Sequence, residues 1–244
     1  MFAALCRGDR PDSIAFDSAR GGGNIPSMLA EAVIFDLDGT LLDSLADIGE
    51  SMNQVLSQMG LAAHDVSAYR AFVGDGVTML ARRALPADRR DEETVRAAVA
   101  SMRDVYRGRL TSKTQPYDGI PELLDGLTDR AIPMAVLSNK PHDLTVSLVD
   151  SLLGAWRFDP VFGERPAVSK KPDPAGALEI AARLKIEPAR ILYVGDTPID
   201  IQTARAAGIP AVGAAWGFRS EAELAAAGAT SIVGAPIDVL RYVR

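Results

Sequence analysis

The sequence is poor in the residues that build disulfide, thiolate and imidazole sites. Of 244 residues only Cys6 is a cysteine, and only His64 and His142 are histidines. One cysteine excludes an intrachain disulfide and fits a reducing cytoplasm. Nothing around Cys6 offers a general base, so no reactive thiol is expected there. The two histidines have no visible partner and read as surface or capping residues rather than metal ligands. No apolar run approaches the ~20 residues of a membrane span. Positive charge is also short, with 26 Lys and Arg against 32 Asp and Glu for a net charge of −6, and the pI is near 5.0. That balance argues against nucleic acid or an anionic membrane as the main partner. A small anionic substrate would then need local cations or a metal. Aromatic residues make up only 6%, yet hydrophobic residues reach 48%, enough for a real core in one large or two modest domains.

Residues 1–27 are polar, broken by Pro11 and Pro26, and carry Gly21-Gly22-Gly23. They read as a mobile tail. No strand precedes the glycines and no Gly-Lys-Ser/Thr follows, which argues against a phosphate loop. The apolar opening is interrupted by Arg7, Asp9 and Arg10, which argues against a signal peptide. Met28, just before the first strand, is a candidate for the natural start.

The chemistry begins at Ala32-Val33-Ile34-Phe35-Asp36-Leu37-Asp38-Gly39-Thr40. A strand-type run ends in carboxylates at i and i+2, then a glycine where the chain must turn. Two such charges in one pocket call for a cation or a shared proton. A solvated Asp-Gly turn would use the same residues. Asp43 or Ser44 can then cap a helix carrying Leu45, Ile48, Met52, Val55, Leu56 and Met59, which Gly60 ends. Tyr69–Val73, the turn Gly74-Asp75-Gly76 and helices over Val77–Leu85 and Asp91–Leu110 follow, so that 44–112 is purely helical. The outward charges of the last helix read as a solvated face.

From Tyr117 the pattern alternates. Helices are expected over Ile120–Asp129, Asp143–Leu153, Ala175–Leu184 and Ile201–Ala207. Strands are expected over Ile132–Leu137, near Val161-Phe162, over Ile191–Val194, near Ala211-Val212 and over Ser231–Val233. This order predicts an α/β fold, a Rossmann-like parallel sheet with helices on both faces, plus a small all-helical domain. The division expected is a core of 28–43 with 117–244 and a helical unit of 44–116. Trp156 is expected to pack under a helix, and Trp216, in Ala215-Trp216-Gly217-Phe218-Arg219-Ser220, to pack in the core.

Four separated pieces stand at strand ends: Asp36 with Asp38, Ser138 with Asn139, Lys171 in Lys171-Pro172-Asp173-Pro174, and Asp196 with Asp200 in Gly195-Asp196-Thr197-Pro198-Ile199-Asp200. In order and spacing they resemble the four motifs of the haloacid dehalogenase superfamily of Mg-dependent phosphohydrolases, from about Met28 to the C-terminus. The resemblance implies Asp36 as nucleophile forming an aspartyl-phosphate, and Asp38 as the acid that protonates the leaving alkoxide and later takes a proton from water. It implies Ser138 and Asn139 holding phosphoryl oxygens, and Lys171 as fixed positive charge. Mg2+ would sit among the Asp36 carboxylate, the Asp38 main-chain carbonyl and Asp196, with Asp200 in support directly or through water. Asp38 favours phosphoryl chemistry, because dehalogenases of the superfamily lack it.

The helical insertion resembles the mobile cap of one subgroup, which closes over the site and reads the leaving group. Its specificity loop is expected at Gly74-Asp75-Gly76 with Arg82 or Arg83. This loop, Ser138-Asn139-Lys140-Pro141 and Trp216-Gly217-Phe218-Arg219 look most like phosphoglycolate phosphatases. Asp75 places a negative charge where an anionic substrate is expected, which calls for Arg82 or Arg83 to compensate. The resemblance thus implies a cytoplasmic hydrolase of a small phosphate ester, 2-phosphoglycolate first, acting as monomer or homodimer. A sugar-phosphate mutase, a pyrophosphatase and a nucleotide phosphatase of the same superfamily are the alternatives, and a silent binding protein on this scaffold is a further one.

Overall fold

The computed structural model describes residues 29–244, so the expectations for residues 1–27, for Cys6 and for a start at Met28 lie outside the described residues. The first strand, β1 (Ala32–Phe35), is buried along its whole length. Val33 and Phe35 enter one hydrophobic cluster and Ala32 and Ile34 another. Alternate side chains leave a strand on opposite faces, so this division requires helices on both sides of the sheet.

After β1 the chain turns and pairs briefly as β2 (Leu42–Asp43), then enters α1 (Leu45–Gln58), α2 (Tyr69–Phe72), α3 (Val77–Ala84) and α4 (Glu92–Arg107). It returns through β3 (Gln115–Pro116), which pairs antiparallel with β2. This two-stranded ribbon ties the way out of the helical insertion to the way back. The remainder alternates: α5 (Ile120–Asp129), β4 (Met134–Pro141), α6 (His142–Leu152), β5 (Phe158–Glu164), α7 (Ala175–Leu184), β6 (Ile191–Gly195), α8 (Pro198–Ala206), β7 (Ala211–Ala214), α9 (Glu221–Ala227) and β8 (Ser231–Val233).

The six-stranded sheet has the order β5-β4-β1-β6-β7-β8, and every neighbouring pair in it is parallel. From β1 the chain winds outward through β4 and β5 on one side and through β6, β7 and β8 on the other. The carboxyl ends of β1, β4 and β6 therefore meet at the switch point, where open sheets of this class bind ligands.

The insertion has its own core, built from Met52, Val55 and Leu56 of α1, Leu80 and Ala84 of α3, and Val95, Ala98 and Met102 of α4. Leu144 of α6 and Phe218 join that cluster from the sheet side. Among the described residues no helix is long and apolar enough to cross a membrane.

Several elements differ from the sequence expectation. β4 runs on to Pro141 because its pairing with β5 continues, through a register shift, to Pro141 opposite Glu164; Ser138 and Asn139 thus lie inside the strand. β5 is correspondingly longer than a short run at Val161-Phe162. α8 starts at Pro198, where Thr197 gives its N–H and hydroxyl to Asp200 and proline occupies the first turn. α9 was not expected; its signal is Ser220, whose reciprocal bonds with Glu223 form a capping box. Ser44 stands at the N-cap of α1 but makes no side-chain cap, because its hydroxyl goes to Asp38.

Candidate active site

Parallel pairing of β1 with β4 and β6 delivers Asp36, Ser138 and Asn139, and Asp196 side by side, and the capped start of α8 adds Asp200. Lys171 comes from the loop before α7. Asp36, Asp196 and Asp200 are buried, and one carboxylate oxygen of each lies within 4.8 Å of the others. Lys171 Nζ lies 2.9 Å from Asp36 Oδ1 and 2.6 Å from Asp200 Oδ1.

Each carboxylate is also fixed by its own neighbours. Leu37 N–H donates to Asp36 Oδ1 at 2.7 Å. Thr40 Oγ1 donates to Asp196 Oδ1 at 2.9 Å, and Phe218 N–H to Asp196 Oδ2 at 2.8 Å. Burial and the charge of Asp200 push the Asp36 carboxyl up to about 7, against an opposing pull from Lys171. Burial and the charges of Asp200 and Asp36 raise Asp196 as well. Burial disfavours the Lys171 ammonium, but Asp200 and Asp36 outweigh it and hold the lysine charged. Three buried carboxylates against one lysine leave negative charge without a counter-ion. An all-oxygen donor set with that surplus fits a hard divalent cation.

The side chain of Asp38 stands apart from this triad. Its oxygens take Lys140 Nζ at 2.8 and 2.9 Å and the Ser44 hydroxyl at 2.6 Å. Burial works against the Lys140 charge, and Asp38 more than restores it. Asp36 and Asp38 thus do not share one cation through their side chains: each has its own lysine. Lys140 belongs to Ser138-Asn139-Lys140-Pro141, and the extension of β4 through it carries its side chain to Asp38.

The Asn139 side chain is engaged within the protein. Its amide nitrogen donates to Lys171 O at 3.0 Å and to Gly74 O at 3.2 Å, while its oxygen accepts from Lys171 N at 2.9 Å. With both amide hydrogens engaged, it positions Lys171 and the insertion rather than offering a free donor to phosphate. Ser138 Oγ accepts only from Lys140 N, at 3.3 Å, so its hydroxyl hydrogen stays available to a ligand.

A cavity of about 70 Å³ lies between sheet and insertion, with Asp36, Asp38, Ser138 and Lys140 on the sheet side and Val77, Met102 and Tyr106 opposite. Gly74 and Gly76 line it, and Asp75 and Arg82 do not. Arg83 pairs with Asp75 at 2.5 Å, and Arg82 pairs with Glu92 at 2.5 Å. The Asp75 charge is thereby met inside the insertion, by Arg83 as the sequence required. Arg103 and Tyr106 of α4 line the cavity instead.

The loop is pinned to the sheet domain through its carbonyls. Besides Asn139, Lys170 Nζ donates to Asp75 O at 3.1 Å and Arg219 to Val73 O at 2.9 Å and to Arg70 O. Arg70 in turn donates to Gly217 O at 3.0 Å. Trp216 packs against the sheet core, as expected, and donates to Thr40 O at 2.9 Å. The segment from Trp216 to Arg219 therefore touches Thr40, Asp196 and the insertion in turn. His64 is half-buried within the insertion with Nε2 2.8 Å from Ala84 O, and His142 Nδ1 accepts from Gly163 N–H; neither belongs to the acidic cluster. Trp156 Nε1 donates to Asp125 at 2.8 Å.

Gly39 constrains the cluster closely. It has φ +89°, and a Cβ there would sit 2.3 Å from Asp196 Oδ2. Gly39→Ala is expected to displace Asp196 and, at the scale of a misplaced reacting group, lower turnover by about a hundredfold. Steady-state rates together with circular dichroism test this, since the fold is expected to persist.

The comparisons with known proteins agree with this geometry. A family model described as haloacid dehalogenase-like hydrolase matches residues 33–214. The phosphoglycolate phosphatase of Pseudomonas putida (strain KT2440) is 34% identical over 197 residues, covering 79% of this chain and 72% of that protein. That of Rhodospirillum rubrum is 34% identical over 199 residues, covering 79% and 83%. The crystal structure of a candidate phosphoglycolate phosphatase from Lactobacillus delbrueckii subsp. bulgaricus superposes with a TM-score of 0.82 at 30% identity, covering 87% of this chain and 98% of that one. Motifs, fold and relatives agree: the chain belongs to the haloacid dehalogenase-like hydrolases.

Proposed function

We propose that this protein is a Mg2+-dependent phosphomonoester hydrolase acting on a small metabolite, with 2-phosphoglycolate as substrate. The observation that carries the reading is the acidic triad with Lys171, whose Asp36 lines a cavity together with the Asp38–Lys140 pair. The cavity is small, about 70 Å³. A glycolate-sized leaving group suits that space better than a hexose, which favours hydrolysis of a small ester over a sugar-phosphate mutase. The names of the relatives point the same way.

Asp36 is the nucleophile. Its Oδ1 is held by Leu37 N–H and Lys171, while Oδ2 accepts no hydrogen bond from a described residue and is free to attack phosphorus. The P–O ester bond breaks as the aspartyl-phosphate forms, and Asp38 gives the leaving alkoxide its proton. Water then attacks the aspartyl-phosphate, Asp38 takes its proton, and phosphate leaves with Asp36 restored. Lys140 Nζ contacts both oxygens of Asp38, and a phosphate dianion beside Lys140 would compete for that ammonium and leave Asp38 free to exchange a proton with the ligand. Ser138 donates to a phosphoryl oxygen, and Lys171 balances the charge that builds there. Asp36, Asp196 and the Asp38 carbonyl would hold Mg2+, with Asp200, whose oxygens already accept from Lys171 and Thr197, in support. When bound, the ion supplies positive charge that lets an anionic nucleophile meet an anionic ester. Residues 44–116 act as the cap over a core of 28–43 and 117–244, and the loop at Gly74–Gly76 is where it seals. A reducing cytoplasm is the compartment we propose, on the single cysteine.

The metal-free site links stability to pH. Asp36 is raised from 3.8 to about 7 in the folded protein. An acid whose folded value exceeds its unfolded one gives stability that is full below the unfolded value and lost as pH rises through the folded one. Between about pH 4 and pH 7 the metal-free protein is therefore expected to lose stability as pH rises. Mg2+ should raise the melting temperature more at pH 8 than at pH 5, and thermal melts with Mg2+ or EDTA at both values check this.

Phosphate release in Mg2+ from 2-phosphoglycolate, glucose 1-phosphate, nucleoside monophosphates and pyrophosphate tests the function. The expected result is 2-phosphoglycolate well ahead of the others and no activity in EDTA. Release from no small monoester, or isomerisation of glucose 1-phosphate, would sink the reading.

A further inference from the structure

We propose that Arg103 and Tyr106 of α4 recognise a carboxylate on the leaving group and so set substrate preference. The inference rests on the phosphatase reading of the neighbouring site. The two residues are three apart on one helix, hence on one face, and both line the cavity opposite Asp36 and Asp38. Tyr106 is buried, yet its hydroxyl has no hydrogen-bond partner. A buried O–H left unpaired is costly unless a ligand or water completes it. The Lys140 ammonium lies 4.6 Å from the centre of the Tyr106 ring and pairs with Asp38.

Arg103 is exposed and lines both this cavity and the outer groove beside it. The acids that line the groove with it have other partners, Glu92 held by Arg82 and Asp104 by Arg107. Its guanidinium is therefore available to turn inward. The far wall of the cavity is otherwise apolar, formed by Val77, Leu80 and Met102. A leaving group with a carboxylate would present one anionic end there, and Arg103 with the Tyr106 hydroxyl supplies the donors it needs. A neutral hydroxyl in the same place would gain far less. The earlier difficulty of Asp75 disappears, because its charge is spent on Arg83 outside the cavity.

The test compares kcat/KM for 2-phosphoglycolate and 2-hydroxyethyl phosphate, which differ only in carboxylate against hydroxymethyl. Arg103→Gln and Tyr106→Phe are each expected to lower the ratio of the two values at least about tenfold, mainly through KM for 2-phosphoglycolate. Arg103→Lys should recover part of it. Arg82→Gln, outside the cavity, should leave the ratio at the wild-type value. Equal losses on both esters, or a ratio unchanged in both variants while the wild type turns over 2-phosphoglycolate, overturns this inference alone. A wild-type protein that hydrolyses neither ester overturns the phosphatase reading and this inference with it.

Discussion

Asp36→Asn is expected to lower kcat for phosphate release by at least about 10⁴-fold while leaving the fold intact. The amide is nearly the same shape as the carboxylate and can still accept from Leu37 N–H, the bond that fixes Oδ1. What it loses is the ionised oxygen that must attack phosphorus. Burial and Asp200 already penalise the charge of Asp36 when no metal is present. The metal-free variant should therefore melt no lower than wild type at pH 8, because one of three crowded carboxylates is gone. A dead enzyme with an undiminished melting temperature separates a chemical role from a structural one. A variant that keeps much of the wild-type rate would deny Asp36 its role.

Lys171→Met is expected to fail differently, in both catalysis and stability. It removes the ammonium that contacts Asp36 and Asp200, which at a charge-stabilising position costs about 10²–10³ in kcat. It also leaves Asp36, Asp196 and Asp200 buried without a cation among their side-chain contacts. Breaking a buried pair from one side costs about 3–5 kcal/mol, or about 10 °C in melting temperature for a domain of this size. The deficit should be largest in EDTA at pH 8. It should shrink on addition of Mg2+, and also at low pH, where the carboxylates protonate. Thermal melts across those conditions check it, and a deficit indifferent to both metal and pH would point to lost packing of the lysine stem instead.

Legibility in the sequence divided along a physical line. β1 was readable because four apolar residues lead straight into Asp36-Leu37-Asp38-Gly39, and a parallel sheet followed from the alternation of strands and helices. Asp36, Lys171, Asp196 and Asp200 meet as expected, since each is fixed by a strand end or a helix start close to it in sequence. Less legible was anything decided by partners distant in the chain. The Asn139 amide is spent on Lys171 and Gly74, which no local pattern announces. Lys140 belongs to Asp38, 102 residues away. Arg82 and Arg83 are adjacent, and only the turn of α3 decides that one meets Glu92 and the other Asp75. Arg103 and Tyr106 belong to a helix whose outward charges mark a solvated face. Their place over the site follows from how the insertion docks, with Phe218 and Arg219 reaching across to it.

That docking gives the site a coherent logic. Phe218 donates its N–H to Asp196 and buries its ring in the insertion, while Arg219 holds Val73 beside the glycine loop. Asn139 holds both Lys171 and Gly74. Elements that position the acidic cluster thus also hold the insertion over the cavity, so closure and assembly of the site share residues.

The central claim is a phosphoryl group carried transiently on Asp36. The most direct measurement mixes the protein and Mg2+ with 2-phosphoglycolate labelled in its phosphate, quenches in acid within the first turnover, and maps the label by peptide. The account predicts label on the peptide containing Asp36, absent from Asp36→Asn and lost on a chase with unlabelled substrate. Full phosphate release with label on another residue would contradict it.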